Sequence, residues 1–214
     1  MKNKVWIVGA SEFGVDLGIR FLNNTGEKNE FKGFVDDREK VIEKARKTMA
    51  VYKPQSKLSY SLGNDINYND PLNKFMFGTG DPNFKKKFLN KNNISFNQIH
   101  MFNLRTQVHK RFVMSGIFFD CLISSQTKLG YANFVDSFSI ISHGCDIGNF
   151  NHIGVGCIIG GNTNIGHCNI IHSGAIIGND INIGNNCTIG AGVTLVRDLP
   201  DNSKIIAPKS IKLN

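Results

Sequence analysis

Two histidines nine residues apart, His143 and His152, stand in the run SIISHGCDIGNFNHIGVG, which otherwise consists mostly of Ile, Gly, Ser and Asn. An imidazole changes charge near neutral pH, so either ring is suited to moving a proton or binding a metal, or simply to a solvated surface. Asp136, seven residues before His143, adds a carboxylate. A second group of polar residues lies near the N-terminus. The turn Gly9-Ala10-Ser11-Glu12-Phe13-Gly14 follows the apolar run KVWIV and precedes a helical pattern. Such a turn can offer backbone N–H groups and a helix N-terminus to a phosphate, although it lacks the full GxGxxG spacing. Asp36 and Asp37 close FKGFVDD, where an acid can hold a ribose hydroxyl or cap a solvated turn. Gly80, after FMFGT, would let a ligand approach the backbone closely.

These residues sit on elements of two kinds. From Ile123 to Leu195 an aliphatic residue recurs every six positions, as at Ile141, Ile147, Ile153, Ile159 and Ile165, and glycine often follows it, as at 148, 154, 160 and 166. A six-residue period fits neither an amphipathic helix nor an alternating strand. It fits a β-solenoid of short strands and tight turns. Three hexapeptides per triangular coil would stack residues 18 apart at about 4.8 Å, the spacing of neighbouring strands. The column 133, 151, 169 is then all Asn, and Cys145, Cys157 and Cys187 share one phase as small packing residues. His143 falls at an outward corner, and Asp136 and His172 replace the expected glycine.

The N-terminal half alternates strands (around 4–8, 31–37, 75–78 and 94–102) with helices (13–22 and 83–90). Alternation of this kind implies a parallel sheet, Rossmann-like in type, with ligands at the carboxyl ends of its strands. A short charged helix followed by polar loop is expected over 38–70, with no function attached. The chain thus divides into an α/β Rossmann-like domain, 1–110, and an all-β solenoid domain, 111–214.

Composition narrows the classes. The net charge is +8, with 20 Lys/Arg against 11 Asp/Glu over residues 1–111 and 5 against 6 beyond. Aromatics do not interleave with the basic residues as on a single-strand-binding surface, so no nucleic acid is expected, and Lys85-Lys86-Lys87 reads as a solvated helix face. No apolar stretch is long enough to span a bilayer and no signal peptide is evident, which implies a cytoplasmic protein without membrane insertion. The five cysteines include no CxxC and suggest no disulfide framework. His167 and His172 have the H-x4-H spacing of solenoid zinc enzymes, but Tyr131 stands where the third ligand would fall. Zinc takes at least three protein ligands, so no metal is expected.

The strand–GAS–helix start, the Asp-Asp after the second strand and the segment Asp136…His143-Gly144-Cys145-Asp146-Ile147-Gly148-Asn149-Phe150-Asn151-His152 together resemble the bacterial sugar-nucleotide acetyltransferases with hexapeptide repeats. That family includes UDP-4-amino-sugar N-acetyltransferases and sialic-acid O-acetyltransferase-like proteins, and the similarity covers roughly 1–37, 74–102 and 123–208. The resemblance implies a left-handed parallel β-helix, a homotrimer, and acetyl-CoA lying between neighbouring subunits. It implies acetyl transfer to an amino group of a nucleotide-linked amino sugar, in surface-polysaccharide (O-antigen) or glycan synthesis. The alternatives are sugar O-acetylation and a non-catalytic nucleotide-sugar-binding scaffold.

By the same resemblance His143 is the general base. His152, Gly161, Ala191, Gly192, Lys204 and Lys209 meet acetyl-CoA, and Gly9, Ser11, Glu12, Phe13, Asp36, Asp37 and Gly80 meet the sugar nucleotide. Three positions depart from the family pattern. Gly144 replaces the carboxylate that follows the histidine, Asp136 replaces an Asn, and Phe13 replaces a histidine. Asp136 is expected to take over the orienting role that Gly144 cannot fill.

Overall fold

The computed structural model describes residues 2–24, 29–52, 58–61, 63, 65–99, 102–104, 116–124 and 126–208. They form two compact units, Met1–Phe102 and Asn103–Asn214. The expected boundary at 110/111 falls outside the described residues.

In the first unit β1 (Asn3–Val8), β2 (Asn29–Val35), β3 (Ser59–Ser61) and β4 (Asn73–Phe77) make one parallel sheet in the order β3-β2-β1-β4. The chain runs outward through β2 and β3, then returns to the other side of β1. Strand order therefore reverses beside β1, the place where open α/β sheets hold ligands. Val5, Ile7, Phe34, Phe75 and Met76 are fully buried in it. Helix α1 (Glu12–Asn24) lays Val15, Leu17 and Phe21 on the sheet. Helix α2 (Glu39–Tyr52) buries Ile42, Ala45 and Met49, spaced for one helical face. Helix α3 (Pro82–Lys91) starts at Asp81, whose carboxylate accepts from the Asn83 and Phe84 N–H groups, with Pro82 at the first turn.

Two local expectations are corrected. A three-residue strand, β3, lies within 38–70, pairing Ser59–Ser61 with Gly33–Val35. The strand expected over 94–102 is largely a 3-10 turn, Phe96–Gln98, before the short β5 (Phe102–Leu104). A capping box joins Ser95 to Gln98, and the buried Gln98 amide donates to the Tyr68 and Asp70 carbonyls (2.9 and 3.3 Å). Those polar bonds override the apolar pattern.

The second unit is a parallel β-helix. After β6 (Gly116–Phe119), strands mostly of two residues follow in three faces. One face carries β7 (Leu122–Ile123), β10 (Ile140–Ile141), β13 (Ile158–Ile159), β16 (Ile176–Ile177) and β19 (Thr194–Leu195). The next carries β8 (Lys128–Leu129), β11 (Asp146–Ile147), β14 (Asn164–Ile165) and β17 (Asn182–Ile183). The third carries β9 (Asn133–Val135), β12 (His152–Ile153), β15 (Ile170–Ile171), β18 (Thr188–Ile189) and β20 (Lys204–Ile205). Through the middle coils the pairing offset is 18 residues, as in Ile141↔Ile159 and Ile147↔Ile165, so the expected columns form. No helix among the described residues is long and apolar enough to cross a membrane.

The recurrent glycine and the left-handed residue are different positions. Gln126, Ala132, Phe138, Gly144, Phe150, Gly156, Asn162, Cys168, Gly174, Asp180, Asn186 and Gly192 all have φ between 56° and 71°, so every sixth residue turns a corner in the left-handed region. Eight of these twelve carry a side chain, at a cost of about 1–2 kcal/mol each that coil stacking must offset. The glycine after each aliphatic residue serves closeness instead: a Cβ on Gly148 would meet the Gly166 carbonyl oxygen at 2.6 Å.

The phase holding Cys145 and Cys157 does more than pack. Thr127, Ser139 and Thr163 donate hydroxyls to carbonyls fifteen residues on, at Ser142, Gly154 and Gly178 (2.7, 2.8 and 3.0 Å). Asn133 and Asn151 donate amides to Gly148 and Gly166 (2.8 and 3.0 Å). The thiols of Cys145 and Cys157 reach Gly160 and His172 in the same way, both at 3.2 Å. Burial pushes both thiols above their ordinary range, which keeps them protonated as donors. Thr163→Val keeps the shape but leaves the Gly178 carbonyl unpaired. We expect urea unfolding to show a loss of about 1–3 kcal/mol for Thr163→Val and little change for Thr163→Ser, and equal stability of the two variants would contradict the donor role.

Candidate functional site

His143 opens the corner between β10 and β11, and its side chain is exposed. One coil on, Gly161 brings no side chain, and the imidazole fills that room. Its Cε1 and Nε2 atoms lie 3.1 and 3.2 Å from the place a Gly161 Cβ would take. His152 starts β12 on another face, half-buried, with its ring 5.0 Å from that of Phe134 in the coil before. Ala191 and Gly192 form an exposed turn between β18 and β19, and Lys204 opens β20 and is exposed. Lys209 lies outside the described residues.

One chain therefore divides the expected acetyl-CoA residues. His143 and Gly161 share one edge of the prism, whereas Ala191 and Gly192 stand on the edge that follows the His152 face. Asp136 belongs to that second edge as well, since it follows β9. The expected pairing of Asp136 with His143 is not made within a chain. Strand β10 separates the two corners, and Asp136 Oδ1 accepts the Ser137 N–H at 2.7 Å instead.

The expected sugar-nucleotide residues divide too. Asp36 is 6 % exposed, and both of its oxygens are used. Oδ2 accepts from the Ala10 N–H (2.9 Å) and from Arg38 Nη2 (2.8 Å), while Oδ1 accepts from the Arg38 backbone N–H and Nε. It ties the β1–α1 turn to the start of α2. Gly9, at φ 93°, packs on Gly78, and the Ser11 hydroxyl donates to the Gly78 carbonyl at 3.1 Å. Glu12 pairs with Lys44 at 2.7 Å. Glu12 and Phe13 line an open groove of about 1000 Å³ between α1 and α2. Asp36 and Asp37 line a different cavity of about 290 Å³, at the carboxyl ends of β1 and β2. Gly80 precedes the α3 cap and is partly exposed.

The smaller cavity adds residues missed in the sequence. Tyr68, Phe84, Lys87 and Lys91 line it together with Asp37. Their signal was legible: Phe84–Phe88 and Lys87–Lys91 are each four apart, which sets rings and ammonium groups on neighbouring stripes of α3. The Lys85–Lys87 run is likewise not a uniform solvated face, because Lys85 is buried. No group of three metal-ligating side chains occurs among the described residues.

Asp36 also sets a pH dependence. Burial disfavours its charge, but the Arg38 side chain and the Ala10 and Arg38 amides outweigh it, so the carboxyl is held below the usual carboxylate range. A lowered folded pKa stabilises the fold above the unfolded carboxylate value, near 3.9, and that stability is lost as pH falls toward the folded value. Asp36→Asn should therefore melt below the wild type at neutral pH, with the gap closing as the pH is lowered through the carboxylate range. A gap independent of pH, measured by thermal melts across the series, contradicts this account.

Comparison with family models and with curated sequences gives no match. Comparison of folds does. A GDP-perosamine N-acetyltransferase from Caulobacter crescentus, solved with CoA and GDP-perosamine, aligns over 99% of this chain and 97% of its own, at TM-score 0.67 and 18% identity. The acetyltransferase domain of PglB from Neisseria gonorrhoeae, solved with acetyl coenzyme A, aligns over 97% of each chain, at TM-score 0.62 and 14% identity. At these identities the likeness is one of fold, and it extends over both units.

Proposed function

We propose that the protein transfers an acetyl group from acetyl-CoA to an amino group on a nucleotide-linked sugar, in surface-polysaccharide (O-antigen) or glycan synthesis in the cytoplasm. The observation that carries this reading is His143, an exposed imidazole seated in the room left by Gly161, on a fold shared end to end with an N-acetyltransferase solved with CoA and a nucleotide amino sugar. His143 takes a proton from the amine as its nitrogen attacks the thioester carbonyl. The C–N bond forms, the C–S bond breaks, and the leaving thiolate takes the proton back from the His143 imidazolium to give CoA. No metal enters these steps.

The reading includes a left-handed β-helix and a Rossmann-like N-terminal unit. That unit holds the nucleotide where Asp37, Lys87 and Lys91 surround the 290 Å³ cavity. Gly9, Ser11 and Gly80 supply backbone for the diphosphate. Acetyl-CoA meets His152, Gly161, Ala191, Gly192 and Lys204. Because these fall on separate edges of one prism, a complete site needs edges from two copies, which favours a homotrimer with sites between subunits. Asp136 approaches His143 only from a neighbouring copy. The face of β7, β10, β13 and β16 supports self-association: Leu122, Ile140, Ile158 and Ile176 form an outward column, each between 38 % and 42 % exposed.

Thiol release from acetyl-CoA, followed with GDP-perosamine and UDP-linked 4-amino sugars, tests the reading. Turnover with at least one acceptor is expected, falling roughly 100- to 10,000-fold in His143→Ala. Full activity in that variant, or no turnover with any acceptor, sinks it. Ile158→Asp should leave the circular dichroism unchanged but give a monomer by light scattering; an unchanged oligomer would place the interface elsewhere.

A further inference from the structure

Helix α3 brings an aromatic pair and a cationic pair to one cavity. Phe84, Lys87, Phe88 and Lys91 are spaced i, i+3, i+4 and i+7, so they share one face of the helix. All four line the 290 Å³ cavity at the carboxyl ends of β1 and β2. The rings form a series that runs outward from the core. Phe77 is buried and meets Phe88 edge-on, with centroids 6.0 Å apart and planes at 87°. Phe88 in turn stacks on Phe84 at 6.2 Å and 22°, and Phe84 is 37 % exposed. Tyr68 packs edge-on against Phe88 at 5.9 Å, and its hydroxyl is spent on the Gly63 carbonyl (3.1 Å). The stack therefore ends on a ring that offers contact area and no hydrogen-bonding group.

The charges beside that ring are unevenly matched. Lys87 and Lys91 are exposed and make no ion pair among the described residues. Of the two acids that line the cavity, Asp36 is already paired with Arg38 at 2.8 Å, which leaves Asp37. The β1–α1 turn supplies no cation: its Gly9 N–H donates to the Val35 carbonyl (2.7 Å) and its Ala10 N–H to Asp36 (2.9 Å). Along α3 the order is ring, cation, cation, with the two lysines about 4.5 and 10.5 Å beyond Phe84 in helical rise. A nucleoside diphosphate has the same order, a flat base followed by two phosphates.

We propose that the nucleoside diphosphate lies along α3, its base stacked on Phe84 and its phosphates paired with Lys87 and Lys91. Asp37 is left to accept from a ribose hydroxyl. Stacking uses the π-face of the base and the ammonium groups use the phosphate charge, so affinity rises with the number of phosphates.

This inference rests on the reading of the cavity as the nucleotide site, and calorimetric titration of the full chain with UDP and GDP, without acetyl-CoA, separates the two. The wild type should bind at least one diphosphate, and bind the matching monophosphate more weakly. Lys87→Ala and Lys91→Ala should each lose on the order of 10-fold toward that diphosphate, the scale of one charged hydrogen bond. Lys86→Ala, which alters the same helix outside the cavity, should match the wild type. Phe84→Ala, with its circular dichroism unchanged, should lose roughly 10- to 100-fold, and Phe84→Tyr should recover the loss. In turnover with the matching nucleotide sugar, these losses should appear in KM for that sugar and not in KM for acetyl-CoA. Wild-type affinity in Lys87→Ala and Lys91→Ala, an equal loss in Lys86→Ala, or wild-type affinity in Phe84→Ala overturns the proposal while leaving a nucleotide site in place. Binding of neither diphosphate by the wild type removes the nucleotide site, and the proposal with it.

Discussion

Stacking at strand spacing governs the second unit. Through the middle coils each residue meets its counterpart 18 residues on, and along much of the turn-side column that distance does not admit two side chains. A Cβ at Gly130 would strike Asn149, and one at Gly160 would strike Asn179. Large residues therefore tend to alternate with glycine. Asp136 is followed by Gly154, His172 by Gly190, and His143 by Gly161. The seat of the His143 ring is thus the packing rule of the whole solenoid applied at one corner.

The same spacing disposes of the polar groups. Inside the prism, donors reach carbonyls fifteen residues on. At the corner between the second and third faces, side chains accept amides from the coil before. Asn149 Oδ1 takes the Tyr131 N–H, His167 Nδ1 the Asn149 N–H, and Asn185 Oδ1 the His167 N–H, each at 2.8 Å. His167 serves there as an asparagine would, which gives that histidine a structural task. Two of the three faces end with different chemistry. The Asn164–Asn182–Asp198 face satisfies itself, whereas the Ile140–Ile158–Ile176 face leaves apolar surface in water at about 25 cal/mol per Å². Of the two, only the apolar one gains by being covered.

The solenoid was legible because its period is unlike that of any other element, and the aliphatic phase, the Asn column and the outward corner at 143 all stand as read. The left-handed phase was not. Backbone dihedrals leave no mark when eight of twelve such positions carry Gln, Ala, Phe, Asn, Cys or Asp. The thiols read as filler because a donor's target fifteen residues away is visible only once the coil is closed. In the N-terminal unit the main strands and helices followed from their apolar runs. Ser59–Ser61 has too little hydrophobic pattern to announce a strand, and Ser95–Gln98 has polar bonds that no propensity records. Asp36 is the instructive case, since its place at a strand end suits a ligand, while its burial follows from the bonds it accepts from Arg38, two residues on, and from the Ala10 N–H.

Gly144 ties these threads together. As a bare glycine where the resemblance implies a carboxylate it reads as a loss, and Asp136, the nearest unexplained carboxylate in sequence, is the evident replacement. Sequence distance is the wrong measure on this fold. Seven residues carry the chain along one face to the next corner, whereas eighteen bring it back beside its starting point. Asn162 is therefore nearer to Gly144 than Asp136 is to His143. What fills the space of a missing side chain lies one coil away, and there the Asn162 amide oxygen already stands, 2.5 Å from the place a Gly144 Cβ would take.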